Sequence, residues 1–208
     1  MPSDCAWTPD AKLRRRQTAA RGTVLRTTAE YTTRLLDCSR VANYYAETML
    51  RALMPGSFDP PTNGHLNLIE RASTIYDEIL VVVASNPAKQ YTFTSQERFE
   101  MMDELAQEFS NVKVHLWDSL IVKFAEKMDA RIIIRGVRAL ADFAYEFELS
   151  MMNKGLNPRI ETIFMPTDPQ YFVLRSTTIK ELARLGGDIS SMVPPAVADA
   201  LRRKLRPQ

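Results

Sequence analysis

The sequence predicts an α/β fold, an open parallel sheet with helices on both faces, formed as a single domain by residues 49–208. Three observations carry that reading. From Met49 onward, short apolar runs alternate with stretches at helical spacing. The longest of the runs, "ILVVVA" and "IIIR", are almost uninterrupted Val, Ile and Leu, as strands covered on both faces require. Each run is followed by an unusual loop, and an open parallel sheet gathers such loops along one rim, outside the carboxyl ends of its strands.

The first strand is expected at "RALMP" (51–55), whose loop "GSFDPPTNGH" leads into a helix at "HLNLIERASTIY" (65–76). "DEILVVVA" (77–84) is the second strand, followed by "SNPAKQYTF" and a helix at "SQERFEMMDELAQEF" (95–109). "NVKVHLW" (111–117) is the third; "DSL" follows it, and "SLIVKFAEKM" (119–128) has helical spacing. "RIIIR" (131–135) is the fourth, with "GVRALA" after it and a helix at "DFAYEFELSMMNKG" (142–155). "IETIFMP" (160–166) is the fifth, and "TDPQYFVLRST" connects it to a helix near "STTIKELARLG", which its glycines stop. A last helix, "PPAVADALRRKL", opens on prolines, where a missing N–H does least harm. No repeat of 20 to 50 residues is visible.

The longest apolar runs are far too short to span a bilayer, and the amino terminus lacks the apolar stretch of a secretory signal. A cytoplasmic protein with no membrane partner is expected. The net charge of +2 splits unevenly: residues 1–48 carry eight Lys/Arg against five Asp/Glu, and residues 49–208 carry nineteen against twenty. A body so close to neutral argues against a general nucleic-acid binder, which needs a basic folded surface. Both cysteines, Cys5 and Cys38, precede the body, which therefore has no internal disulfide and no cysteine metal site. Residues 1–48 form an N-terminal extension rich in Arg, Thr and Ala, without sustained periodicity. It reads as an organelle-targeting segment, a disordered or partly helical appendage, or residues upstream of a start at Met49.

The stretch "MPGSFDPPTNGHLNLIERA" (54–72) holds two glycines, three prolines and one of the chain's two histidines. Gly56 and Gly64 let the backbone approach a ligand, and Thr62 or Asn63 can cap a helix opening at Gly64. A helix N-terminus is a ready anion site. There the positive dipole disfavours protonation of His65, and a neutral ring still donates one hydrogen bond to a phosphate oxygen. The spacing is neither the Walker pattern nor G-x-G-x-x-G. Arg135 ends a strand and Arg138 follows a glycine, so two forked cations stand at the rim, suited to phosphate or to pairing with acidic neighbours. Taken alone, Lys89 is a solvated loop lysine. Phe143, Phe147 and the pair Tyr145, Glu146 occupy different helical faces, as core or subunit contacts do. His115, inside a strand, is assigned no function, and no His/Asp/Glu cluster has metal-ligand spacing.

"GSFDPPTNGH" resembles the first signature of the nucleotidyltransferase superfamily, the T/H-x-G-H form, and "LRSTTIK" (174–180) is similar to its second, I-S-S-T-x-I-R. Within that superfamily the sequence is most similar to the bacterial phosphopantetheine adenylyltransferases. It shows "PGSFDPPTNGH", "AKQYTFT", "RGVRALADFAYE" and "RSTTIKE" in the family's order and spacing, from about Arg51 to Leu205. The resemblance implies a Rossmann-like fold and transfer of the adenylyl group of ATP to 4'-phosphopantetheine, giving dephospho-coenzyme A and pyrophosphate.

It also implies site roles. His65, Lys89 and Arg138 become the catalytic candidates, His65 donating to the α-phosphate and Lys89 holding the attacking phosphate or the α-phosphate. ATP is expected along Ser57, Phe58, His65, Gly136, Val137, Arg138 and Glu146, and along Tyr171, Phe172, Val173, Leu174, Arg175, Ser176 and Thr177. Phosphopantetheine is expected against Ser57, Lys89 and Arg135 at its phosphate, and against Leu120, Ile121 and Tyr145 along its arm. Ser57 keeps the hydroxyl of the family's usual threonine. Arg175 departs from the family's serine, either adding charge at the triphosphate or pointing outward. Ser176 and Thr177 can cap the following helix while binding the β- and γ-phosphates. Mg2+ is expected to arrive with ATP, held by phosphates and water. The family is usually hexameric, and coenzyme A is a possible feedback ligand. Two rivals stand beside this reading: a nucleotidyltransferase using nicotinate mononucleotide or a small phosphoalcohol, and a nucleotide-sensing or RNA-binding protein with Arg14–Arg16 as a basic arm.

Overall fold

A computed structural model describes residues 49–205; the N-terminal extension, with both cysteines and Arg14–Arg16, lies outside the described residues. Strands β1 (Arg51–Gly56), β2 (Glu78–Ala84), β3 (Val112–Trp117), β4 (Ile132–Val137) and β5 (Glu161–Pro166) form one parallel sheet in the order β3-β2-β1-β4-β5. Helices α1 (Asn63–Ser73), α2 (Ser95–Ala106), α3 (Ile121–Lys127) and α4 (Leu140–Leu156) alternate with them. A short 3-10 turn (Pro169–Tyr171), α5 (Ser176–Arg184) and α6 (Pro195–Leu205) follow β5. Each expected strand and helix is present, with boundaries shifted by a few residues.

The burial of β2 shows why its sequence lacks alternation. Ile79, Val81 and Val83 pack with Ile69 and Met102 on one face, while Leu80 and Val82 pack with Val122 and Phe124 on the other. A third cluster ties Phe93 to Ile179 of α5 and Leu201 of α6. Thr62 and Thr94 cap α1 and α2 through reciprocal side-chain and backbone bonds. In contrast, α4 buries no residue completely. Among the described residues no helix is long and apolar enough to cross a membrane.

The chain winds outward from β1 to β3, then crosses back to β4, so the strand order reverses between β1 and β4. These two strands pair only at Ala52–Ile132 and Leu53–Ile133, whereas β1 and β2 stay in register over six residues. Beyond Leu53 the sheet therefore opens into a crevice. Across it, the Arg135 Nη1 donates to the Pro55 carbonyl at 2.6 Å, where a ladder bond would otherwise lie.

Candidate active site

A cleft of about 610 Å³ occupies that crevice at the carboxyl ends of the strands. Its floor comes from the loop between β1 and α1. Phe58 holds a left-handed backbone (φ 47°) and is buried, its ring edge-on to His65 at a centroid distance of 5.1 Å. Gly56 makes room for it: a Cβ there would sit 2.8 Å from Phe58 Cζ. The strained turn thus seats an aromatic ring beneath the histidine.

Thr62 fixes the state of that histidine. Its backbone N–H donates to His65 Nδ1 at 3.0 Å, and its hydroxyl lies 2.9 Å from the same nitrogen. A backbone N–H can only donate, so Nδ1 carries a lone pair and a neutral ring holds its proton on Nε2. Burial first, then the Arg138 and Arg135 guanidiniums, lower the ring's pKa from 6.5 to about 4. The helix dipole invoked from sequence gives the same direction, but desolvation and these two cations dominate. His65 is therefore a neutral donor at physiological pH.

Both arginines face carboxylates of α4. Arg135 donates from Nε and Nη2 to the two oxygens of Glu146, at 2.6 and 2.7 Å. With its bond to Pro55, that leaves two of its five N–H groups unused. Arg138 Nε donates to Asp142 at 2.8 Å, and its Nη1 donates to the Leu174 carbonyl at 2.8 Å. The two readings of these arginines hold together: they pair with acidic neighbours, and they form the wall of the cleft. Lys89 and Arg175 also line it and have no carboxylate partner among the described residues. Four cations against two engaged carboxylates leave the cleft positive, which suits an anionic ligand.

Ser57, Phe58, Gly136, Tyr145, Tyr171, Leu174, Ser176 and Thr177 line the same cleft. Gly136 packs on α1 so closely that a Cβ would meet Leu68 Cδ1 at 2.3 Å. Other expected positions lie outside the lining: Leu120, Ile121, Val137, Phe172 and Val173. Ile121 packs with the core beneath α3 instead, and Leu120 is half exposed, its carbonyl accepting from Trp117 Nε1. Phe172 and Val173 are exposed. Helix α5 also differs from expectation. Arg175 holds the N-cap position without a side-chain cap, and Ser176 Oγ donates to the Pro60 carbonyl at 3.2 Å rather than capping. The first N–H groups of α5 therefore have no side-chain acceptor.

Two residues escaped the sequence reading. Asp59 is buried, accepts from the N–H groups of Thr92 and Phe93, and pairs with Lys180 at 2.7 Å. It joins the first loop, the Lys89 loop and α5. Arg98 of α2 is 1% exposed and bonds the Ser57 and Ala84 carbonyls and the Ser85 hydroxyl. Its signal was present in the sequence. It lies at i on the stripe Arg98, Met102, Ala106, the buried face of α2. Among the described residues no group of three or more His, Cys, Asp or Glu side chains is placed to hold a metal ion.

Residues 53–182 match the cytidylyltransferase-like family. The chain is 44% identical over 155 residues to the phosphopantetheine adenylyltransferase of Caldanaerobacter subterraneus, covering 74% of this chain and 97% of that protein. It is 45% identical over 158 residues to the enzyme of that name from Streptomyces coelicolor, covering 76% and 99%. The Heliobacterium modesticaldum protein of that name is 46% identical over 156 residues, covering 75% and 93%. A Vibrio parahaemolyticus structure named as a nicotinate-nucleotide adenylyltransferase superposes with a TM-score of 0.56 at 23% identity, over 74% of this chain and 93% of that one, a likeness of fold alone.

Proposed function

The chain belongs to the phosphopantetheine adenylyltransferases, within the cytidylyltransferase-like family, and on that premise we propose how the cleft performs the reaction. It transfers the adenylyl group of ATP to 4'-phosphopantetheine, forming dephospho-coenzyme A and pyrophosphate in coenzyme A biosynthesis. The observation that carries the mechanism is His65, neutral with its proton on Nε2, under the influence of the Arg138 and Arg135 guanidiniums in a positive cleft.

An acceptor phosphate oxygen attacks the α-phosphorus of ATP. The new P–O bond forms as the bond to the oxygen bridging to the β-phosphorus breaks, and pyrophosphate leaves with that electron pair. The acceptor is already ionised near neutral pH, so no protein base is required, and a ring protonated on Nε2 does not offer one. Catalysis rests on positioning and on charge stabilisation. His65 donates to the α-phosphate as charge builds there. Lys89 and the unused N–H groups of Arg135 hold the acceptor phosphate, with Ser57 beside them. Arg138, Arg175 and the uncapped start of α5 take the β- and γ-phosphates. Bound with ATP, Mg2+ would supply neutralisation of phosphate charge. The cleft carboxylates Asp142 and Glu146 are engaged by arginines, so phosphate oxygens and water are its proposed ligands.

Coenzyme A, which carries the same arm, is the proposed competing ligand, and the cytoplasm the proposed location. A homo-oligomer is the proposed assembly. Its support is the exposed apolar residues of α4, Leu140, Phe147, Met151, Met152 and Leu156, on a helix whose Phe143 packs edge-on against Phe164 of the edge strand β5.

Pyrophosphate release from Mg-ATP, with 4'-phosphopantetheine, nicotinate mononucleotide or glycerol 3-phosphate as acceptor, tests the substrate. Turnover with phosphopantetheine alone supports it; turnover with either other acceptor in its place overturns it.

A further inference from the structure

Arg98 buries a guanidinium with no carboxylate bonded to it among the described residues, and its Nε has no partner. Taking a charge out of water without a bonded carboxylate costs more than filling the same space with a methionine, and the nearby Asp59 is already paired with Lys180, so fold stability alone is a poor reason for it. Its contacts all converge on one end of the cleft. Nη1 donates to the Ser57 carbonyl at 2.5 Å and to the Ala84 carbonyl at 3.0 Å; Nη2 donates to Ser85 Oγ at 2.9 Å. The Tyr91 ring stacks on the guanidinium at 4.1 Å, and the Tyr91 hydroxyl accepts from the Asn86 N–H at 2.8 Å. That bond closes the loop bearing Lys89. Ser57, Ala84, Ser85 and Tyr91 line the cleft, whereas Arg98 lies behind them.

We infer that Arg98 is a positioning residue for the acceptor phosphate: it locks the Ser57 turn to the Lys89 loop, and so fixes the end of the cleft where that phosphate is held. This rests on the reading of the acceptor end given above. The fork matters as much as the charge, because one planar group reaches both loops and stacks on Tyr91. A lysine keeps the charge and loses both.

The test is steady-state kinetics of Arg98→Lys, with thermal unfolding as the check on folding and Mg-ATP affinity measured separately by calorimetry. Expected is a rise of roughly ten- to a hundredfold in KM for 4'-phosphopantetheine, with Mg-ATP affinity within about twofold of wild type. A folded variant with an unchanged acceptor KM overturns the inference. So does an equal loss for both substrates, the mark of a merely structural role. Should Arg98→Lys not fold, Tyr91→Leu carries the test from the cleft side. It should raise the acceptor KM selectively, about fivefold or more, and an unchanged acceptor KM there also overturns the inference. Wild-type protein that does not turn over phosphopantetheine would instead defeat the underlying substrate reading.

Discussion

At the scale of single residues, the account turns on the protonation of His65. Its folded pKa of about 4 lies below the ordinary 6.5. Between those values the unfolded ring binds a proton that the native ring refuses. The linked stability is therefore intact above pH 6.5 and lost as the pH falls toward 4. An NMR titration of the ring should show a midpoint near 4, and a midpoint near 6.5 would contradict the geometry. By the same linkage, His65→Gln should lose about 2 kcal/mol less stability than wild type between pH 7 and pH 5, read from urea unfolding. The sequence made the neutral ring legible through its place in the first turn of a helix. The proton's position on Nε2 was not legible, because it depends on the Thr62 N–H meeting Nδ1.

At the scale of elements, two loops and helix α5 are held together by one buried carboxylate. Asp59 and Lys180 are 5% and 14% exposed at their side chains, so their pair is shielded from solvent and salt. Lys180→Met would leave Asp59 with backbone N–H partners alone. We expect it to destabilise the protein by roughly 3 kcal/mol in urea unfolding, and a change below about 0.5 kcal/mol would show that the pair holds nothing together. The strands were legible because runs such as "ILVVVA" fill both faces of a buried sheet. The helix carrying Arg98 was legible too, while its buried charge depends on the Ser57 and Ala84 carbonyls that the fold brings to it. The outlying positions Leu120, Phe172 and Val173 have a different cause: a motif gives order along the chain, and the direction of a side chain depends on the local turn.

At the scale of the whole molecule, the opening between β1 and β4 and the apolar face of α4 lie on neighbouring elements. Helix α4 supplies Glu146 and Asp142 to the cleft and exposes Met151 and Met152 on its other residues. Phe143 stacks on Phe164 of β5 at 5.0 Å, joining helix and edge strand into one apolar surface. Covering that surface with further copies of the chain would steady the carboxylates that orient Arg135 and Arg138. Sedimentation should find the wild type assembled at micromolar concentration, and a double Met151→Glu, Met152→Glu variant dissociated. A monomeric wild type would contradict the assembly. The aromatic spacing of "DFAYEFE" left core and subunit contacts both open; the degree of exposure along α4 required the fold.

The most direct test of the central claim is the kinetics of His65→Ala with saturating Mg-ATP and 4'-phosphopantetheine. A donor acting on the α-phosphate in the transition state predicts kcat lower by about 10²- to 10³-fold, with KM for both substrates within a few fold of wild type. A kcat within twofold of wild type would contradict it.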